Sequence, residues 1–317
     1  SINLNKTEME VRTSVIPEAY GESIVMRLLD PSSIGTPLED LGMEPDLQKI
    51  VEAEIKKPNG MLLTTGPTGS GKTTALYACI KKVHSEGVKI ITIEDPVEYH
   101  LPGIVQTQVG KEYTFIGGLR SALRQDPDVI MIGEIRDPEV ARTAIDAALT
   151  GHFVFSTLHT NDAAGAFPRL ADFGIDLKVV GSAMTVVLAQ RLVRKLCTVC
   201  RKELPYEGAT KDRIEKALAR VRKINPSAIP ADPHIYQSIG CEACNATGFK
   251  GRIGIFEGIH IDAEIDKLVR DNPSARDIQE VQKKRPILMI AEDGLVKVLK
   301  GITSVEELER VVMIEES

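Results

Sequence analysis

"MLLTTGPTGSGKTTALYACIKKV", residues 61–83, decides the architecture of this chain. An apolar run of strand type, 61–65, ends in a loop with glycines at 66, 69 and 71. A helical pattern over 73–83 comes directly after it. The loop fits G-x-x-x-x-G-K-T through Gly66, Gly71, Lys72 and Thr73. A chance glycine-rich turn would lack the strand before it and the helix after it. Glycine lets the backbone wrap closely around an anion. Inward N–H groups and the positive end of the helix then favour phosphate. Gly66, Pro67, Thr68, Gly69, Ser70, Gly71, Lys72, Thr73 and Thr74 are therefore the candidate ATP-binding loop. Lys72 would bridge the β- and γ-phosphates, and the Thr73 hydroxyl would bind Mg²⁺.

Working outward, further apolar runs fall at 88–93, 129–132 and 153–155, with helical patterns between them, such as 138–149. Continuous apolar strands alternating with helices imply a parallel sheet buried on both faces. Ligands of such sheets bind outside the carboxyl ends of the strands. The residues just past each run are therefore informative. The run at 61–65 leads into the glycine loop, and 88–93 leads into Glu94-Asp95. The run at 129–132 leads into Gly133-Glu134, and 153–155 into Ser156-Thr157-Leu158-His159. Splitting a phosphoanhydride needs a carboxylate to orient water and groups to serve a metal. Glu94 and Glu134 are the candidates, with Glu134 also a Mg²⁺ candidate, and the spacing leaves their roles interchangeable. One acidic strand end would be an ordinary solvated loop; several beside a phosphate loop form a pattern.

Composition bounds the rest. The chain has 317 residues, 43% hydrophobic and 26% charged, which suits about two soluble globular domains. A net charge of −6 and 4% aromatic residues argue against a nucleic-acid channel, which needs positive charge and stacking rings. No apolar run reaches the roughly 18 residues of a membrane span, and no export signal opens the chain. It begins at Ser1 in strand-like text, which reads as the C-terminal part of a longer protein. Residues 1–32 read as two strands around a Pro/Gly turn, ending an N-terminal domain, and 33–37 as a linker. Residues 38–196 form the core, 197–254 a cysteine-bearing subdomain and 255–317 a helical tail. In the tail, Thr303 with Glu306 three residues on forms an expected capping box.

Cys197 and Cys200 form one C-x-x-C and Cys241 and Cys244 another, 40 residues apart. Four thiolates in two pairs suit a tetrahedral structural Zn²⁺ site better than disulfides or redox pairs. Such a site would replace a core that this charged segment lacks, contributing about 10–16 kcal/mol to local folding. Cys79, in the helix after the glycine loop, reads as a small buried apolar residue. His84, His100, His234 and His260 read as surface or core residues without supporting neighbours.

"GPTGSGKTTALY", "ITIEDPVEY", "RSALRQDPDVIMIGEIRD" and "TGHFVFSTLHTNDA" resemble the four nucleotide-site motifs of the secretion ATPase superfamily, which serves type II secretion and type IV pilus assembly. The resemblance runs from "VRTSVIP" to the tail with the motifs in family order. It implies a RecA-like, mostly parallel α/β core behind an N-terminal α+β domain. It also implies a homo-hexamer, ATP and Mg²⁺ as ligands, and a cytoplasmic motor working at the inner membrane through a platform protein and an adaptor. Matched by position, Arg12 and Arg27 correspond to N-terminal-domain arginines that close over nucleotide. Arg27 stands in an otherwise apolar strand, where a charge is costly without a partner. Arg120 and Arg124 correspond to arginines reaching toward the site or its neighbour; spaced four apart, they share a helix face, and simple surface pairing is the plainer alternative. His152 and His159 correspond to the two family histidines, although His152 alone would read as structural. The tetracysteine segment resembles that of the assembly branch. A RecA-like nucleic-acid motor and a nucleotide switch without mechanical output are the competing readings.

Overall fold

The computed structural model describes residues 2–4, 7–29 and 35–314; for 2–4, 7–10, 12 and 27–29 it describes the backbone alone. The side chains of Arg12 and Arg27, and part of the expected linker, lie outside the described residues. At the N-terminus β1 (Ile2–Leu4), β2 (Thr7–Glu18) and β3 (Gly21–Leu29) form an antiparallel sheet. Its register sets Arg12 directly opposite Arg27.

The core begins with α1 (Pro45–Glu54), β4 (Gly60–Thr65), α2 (Lys72–Val83), β5 (Ile90–Glu94) and β6 (Val105–Gln108). It continues through α3 (Phe115–Leu123), β7 (Val129–Ile132), α4 (Pro138–Leu149) and β8 (Phe153–Leu158). Next come α5 (Ala166–Asp172), α6 (Leu177–Ala183) and the long strand β9 (Met184–Leu196). The insert holds β10 (Lys202–Leu204), α7 (Gly208–Ala217), α8 (Ala219–Ile224) and β11 (Ile235–Gln237). The chain closes with β12 (Phe249–His260), α9 (Ala263–Arg270), α10 (Ala275–Gln282), α11 (Ile290–Leu299) and α12 (Val305–Glu309).

Seven strands form the central sheet in the order β12-β9-β4-β8-β7-β5-β6. All neighbours pair parallel except the edge strand β12, which runs antiparallel to β9. The alternation of β4 explains its position: Met61 and Leu63 enter the core under α3–α6, while Leu62 enters the core under α1 and α2. All six residues of β4 are buried. Burying each large apolar side chain contributes about 1.5–3 kcal/mol, so a strand covered on both faces is held firmly. Asp137 starts α4 by accepting the N–H groups of Glu139 at 3.0 Å and Val140 at 2.9 Å, with Pro138 in the first turn.

Four sequence expectations change here. β12 belongs to the central sheet, so a boundary at 254 falls inside a strand. The insert does not depend on metal for a core: Ile214, Leu218, Val221 and Ile235 pack with Leu295, Val298, Leu299 and Leu308 of the tail helices. The last helix is capped by Ser304, not Thr303, and Glu307 is drawn away to Arg194. His234 and His260 do have partners, because distant segments bring Glu203 to 2.6 Å and Glu54 to 3.0 Å. Cys79 is fully buried as expected, and burial pushes its thiol up to about 12.

Candidate active site

The glycine loop lies between the end of β4 and the start of α2, at the carboxyl edge of the sheet. Gly66, Gly69 and Gly71 all take positive φ, at 144°, 78° and 90°. A Cβ at Gly66 would stand 2.6 Å from the Gln190 carbonyl oxygen, and one at Gly71 would stand 2.7 Å from the Gln190 amide nitrogen. Backbone shape and close packing against β9 therefore both demand glycine at these two positions. Lys72 Nζ donates to the carbonyls of Gly66 at 2.8 Å and Pro67 at 3.0 Å, folding its charge over the loop. Burial brings its ammonium below its ordinary value; Glu134 and Glu98 oppose that shift and Arg191 adds to it.

A cavity of about 630 Å³ opens over this loop. Glu94, Glu134 and His159, from the ends of β5, β7 and β8, line its far side. These three strands neighbour one another in the order β8-β7-β5, which is why residues 65 positions apart in sequence converge.

The two carboxylates are held differently. Glu94 is only 2% exposed and accepts from Thr92 Oγ1 at 2.5 Å, Gln106 Nε2 at 3.2 Å and the Tyr77 hydroxyl. Burial, then the Glu94 charge, raises the Tyr77 hydroxyl far above its ordinary value. Glu134 is more accessible, with 17% of its side chain exposed, and it meets Arg136 and His159 Nε2, the latter at 3.2 Å. Burial alone would raise its carboxyl, but Arg136, followed by His159, brings it below its ordinary 4.5. Arg136 also reaches Asp95 at 3.4 Å, and its guanidinium lies 5.8 Å from the Phe115 ring centroid. It ties the ends of β5 and β7 together.

Sequence reasoning passed over Arg136, although it stands two residues after Glu134 in the quoted motif. It also passed over Leu192 and Arg252, which line the cavity from the β9–β12 hairpin. Of the expected residues, Gly66 and Pro67 belong to the loop without lining the cavity, and His152, Arg120 and Arg124 stand away from it. His152 stands at the start of β8, at the opposite end from His159, where Nδ1 and the backbone N–H meet the Ala147 carbonyl at 3.1 and 3.2 Å. Six strand residues separate the two histidines, roughly 20 Å. Arg120 is 59% exposed and pairs with Glu139 of α4 at 2.7 Å. Arg124 is exposed and donates to Ser121 at 3.2 Å. Arg120 on α3 and Arg124 at its C-cap are both exposed, and neither lines this chain's own cavity.

The four cysteines converge as the spacing predicts, with every pair of sulfurs within 4.8 Å. Cys197 and Cys241 are 4.0 Å apart, and Cys200–Cys244 and Cys241–Cys244 are 3.8 Å apart. These are thiol separations, since disulfide sulfurs bond at about 2.0 Å. A tetrahedron with Zn–S bonds of about 2.3 Å has edges of about 3.8 Å, so the set fits zinc. Burial opposes ionisation of Cys244, but the N–H groups of Cys241 and Gly248, each 3.2 Å from its sulfur, bring it down to about 6. The cluster closes the outer end of the β9–β12 hairpin.

Fold and site together define a RecA-like α/β protein with a glycine loop at its topological switch point. It belongs to the Type II/IV secretion system protein family, whose model matches residues 1–310. The chain is 44% identical over 313 residues to the Type II secretion system protein E of Aeromonas hydrophila, spanning 98% of itself and 60% of that relative. It is 43% identical over 303 residues to the Type IV pilus assembly ATPase PilB of Thermus thermophilus, spanning 95% of itself and 33% of that protein. The chain thus spans about 60% or less of these relatives. Among solved structures, that of the pilus retraction motor PilT with bound ADP shares the fold, with a TM-score of 0.66 and 24% identity over 95% of this chain and 74% of that one.

Proposed function

We propose that this chain is the ATP-hydrolysing part of a motor that powers assembly of pilins or pseudopilins, in type IV pilus biogenesis or type II secretion. Glu134 carries the reading: a partly exposed carboxylate, lowered by Arg136 and His159, facing a glycine loop across one cavity. The family relatives named for type II secretion and pilus assembly support the motor role.

The loop N–H groups and Lys72 would hold the phosphates, and Lys72 would leave the Gly66 and Pro67 carbonyls to do so. Mg²⁺, bound by Thr73 with Glu134 nearby, would neutralise charge developing on the phosphates. Glu134 is placed to orient the attacking water, because it alone of the two carboxylates is not already held by three donors. Glu94 is then a fixed negative wall. His159, 3.2 Å from Glu134, steadies that carboxylate as charge moves.

Further arginines would come from outside this site. Arg12 and Arg27 stand opposite each other in β2 and β3. The family pattern gives these two positions the role of closing over phosphate. Arg120 and Arg124, exposed and outside the lining of their own cavity, would serve a neighbouring copy in a homo-hexamer. Zn²⁺ on the four cysteines would be structural, since no ligand position stays open. The full-length protein would act in the cytoplasm, held peripherally at the inner membrane by a platform protein and an adaptor; no helix among the described residues can cross a membrane.

Steady-state ATPase assays on the full-length protein, with and without DNA, test this reading. Magnesium-dependent turnover that DNA leaves unchanged is expected. Large stimulation by DNA would favour a nucleic-acid motor instead.

A further inference from the structure

Glu94 ends β5 with a buried carboxylate whose two oxygens are held by different parts of the chain. Oε1 accepts from Thr92 Oγ1 at 2.5 Å and from Gln106 Nε2 at 3.2 Å, donors that belong to β5 and its neighbour β6. Oε2 accepts from the Tyr77 hydroxyl, its one hydrogen-bond donor among the described residues. Tyr77 belongs to α2, the helix that starts at Lys72 directly after the glycine loop. It stands four residues after Thr73, so the two side chains share one face of that helix. Tyr77 is only 2% exposed. The backbone N–H of Tyr99, from the loop after β5, bonds to the same hydroxyl oxygen, which leaves the hydroxyl proton for Glu94. Burial and the Glu94 charge keep that proton in place. A buried tyrosine hydroxyl needs a partner, and a backbone carbonyl would satisfy it. Here it takes a carboxylate that lines the cavity together with Glu134.

We infer that Tyr77 is a positioning residue for ATP hydrolysis, locking Glu94 against the phosphate-loop helix so that its charge cannot turn toward the metal and the γ-phosphate. Thr73, the candidate Mg²⁺ ligand, and Tyr77 ride on the same helix, so one element sets both the metal ligand and the carboxylate. Without the hydroxyl, Oε2 would lose its donor and a buried carboxylate would be left half-satisfied. It would regain hydration by turning into the cavity. There its charge would compete with Glu134 for Mg²⁺ and oppose the charge spreading over the transferring phosphoryl group. The loop N–H groups and Lys72, which hold the phosphates, are untouched by such a change. The loss therefore falls on hydrolysis more than on binding. This inference rests on the reading of the glycine loop as a site of ATP hydrolysis.

Single-turnover hydrolysis and ATP affinity, measured on the full-length protein and on its Y77F, E94Q and Y77F/E94Q variants, test this role. Phenylalanine keeps the ring and removes one oxygen, so the packing of α2 is preserved. Y77F is expected to hydrolyse bound ATP about tenfold more slowly, the weight of one hydrogen bond to a charged group, with ATP affinity within about threefold of wild type. Because the effect passes through the Glu94 charge, Y77F/E94Q should hydrolyse within about twofold of E94Q. A merely structural tyrosine would slow both backgrounds by the same factor. Y77F hydrolysis within about twofold of wild type would overturn the role, as would an equal loss of about tenfold in the E94Q background. A fall in ATP affinity that matches the fall in rate, or loss of ATP binding altogether, would place Tyr77 in support of the loop and overturn it too. An unaltered protein that binds ATP without splitting it would overturn the hydrolysis reading itself.

Discussion

Glu307→Gln removes a charge at a joint between the sheet and the tail. Glu307 of α12 has a fully buried side chain. It accepts from the Arg194 backbone N–H at 3.0 Å, from Arg194 Nε and Nη2 at 2.9 and 2.6 Å, and from Arg310 Nε and Nη2 at 3.1 and 2.8 Å. Burial would raise its carboxyl, but Arg310 and Arg194 bring it down to about 2 from an ordinary 4.5. Each unit of such a shift is worth about 1.4 kcal/mol, so the difference corresponds to about 3 kcal/mol. The arginines are 45% and 56% exposed, and solvent screening trims this to about 2–3 kcal/mol. The sign comes from linkage: a carboxyl depressed on folding stabilises above its unfolded value, and that stability disappears as pH falls through the folded value. The gap between wild type and E307Q should be full above about pH 5.5 and should close steadily between about 4.5 and 2. Urea unfolding monitored by circular dichroism at pH 7, 4 and 3 measures it. A gap that does not change with pH, or one below about 0.5 kcal/mol at pH 7, would refute the electrostatic account of this joint.

The geometry sets three further outcomes. Gly66→Ala must place a Cβ 2.6 Å from a backbone oxygen at φ 144°, so it should destabilise the chain by roughly 2–5 kcal/mol and abolish binding of a fluorescent ATP analogue. Metal analysis of the purified protein should find one zinc per chain, lost in C197S/C200S. Because the insert packs its own apolar core with the tail helices, chelation should melt the hairpin end while far-UV circular dichroism keeps most of its helical signal; global unfolding on chelation would contradict that core.

The readable part of this fold was its buried parallel strands. Residues 61–63 and 129–132 are continuous apolar runs, because both faces of those strands are covered. β12 escaped notice because Gly251, Gly254 and Gly258 interrupt "FKGRIGIFEGIH". The structure supplies the reason for the latter two: a Cβ at Gly254 would stand 2.3 Å from Phe256 and one at Gly258 2.3 Å from Leu47. The strand is packed too closely for side chains there, and so it looks like a loop in sequence. The core of the insert was hidden for a different reason. Its members come from α7, α8, β11, α11 and α12, and no local pattern joins them.

The site was legible where it runs along the chain and illegible where it crosses it. The glycine loop, Glu94, Glu134 and His159 each stand at or just past a strand end, and the sheet order gathers them. Arg252 comes after nothing informative; it reaches the cavity only because β12 pairs with β9 and β9 with β4. His152 shows the converse, since two histidines of one motif lie at opposite ends of one strand.

The central claim is that Glu134, facing the phosphate loop, orients the water that splits ATP. Nucleotide binding and single-turnover hydrolysis measured on Glu134→Gln in the full-length protein test it most directly. ATP should bind within about threefold of wild type, while hydrolysis falls by about 10²–10⁴, the usual contribution of a positioned base. Hydrolysis within a factor of about three of wild type, with ATP bound, would contradict the assignment.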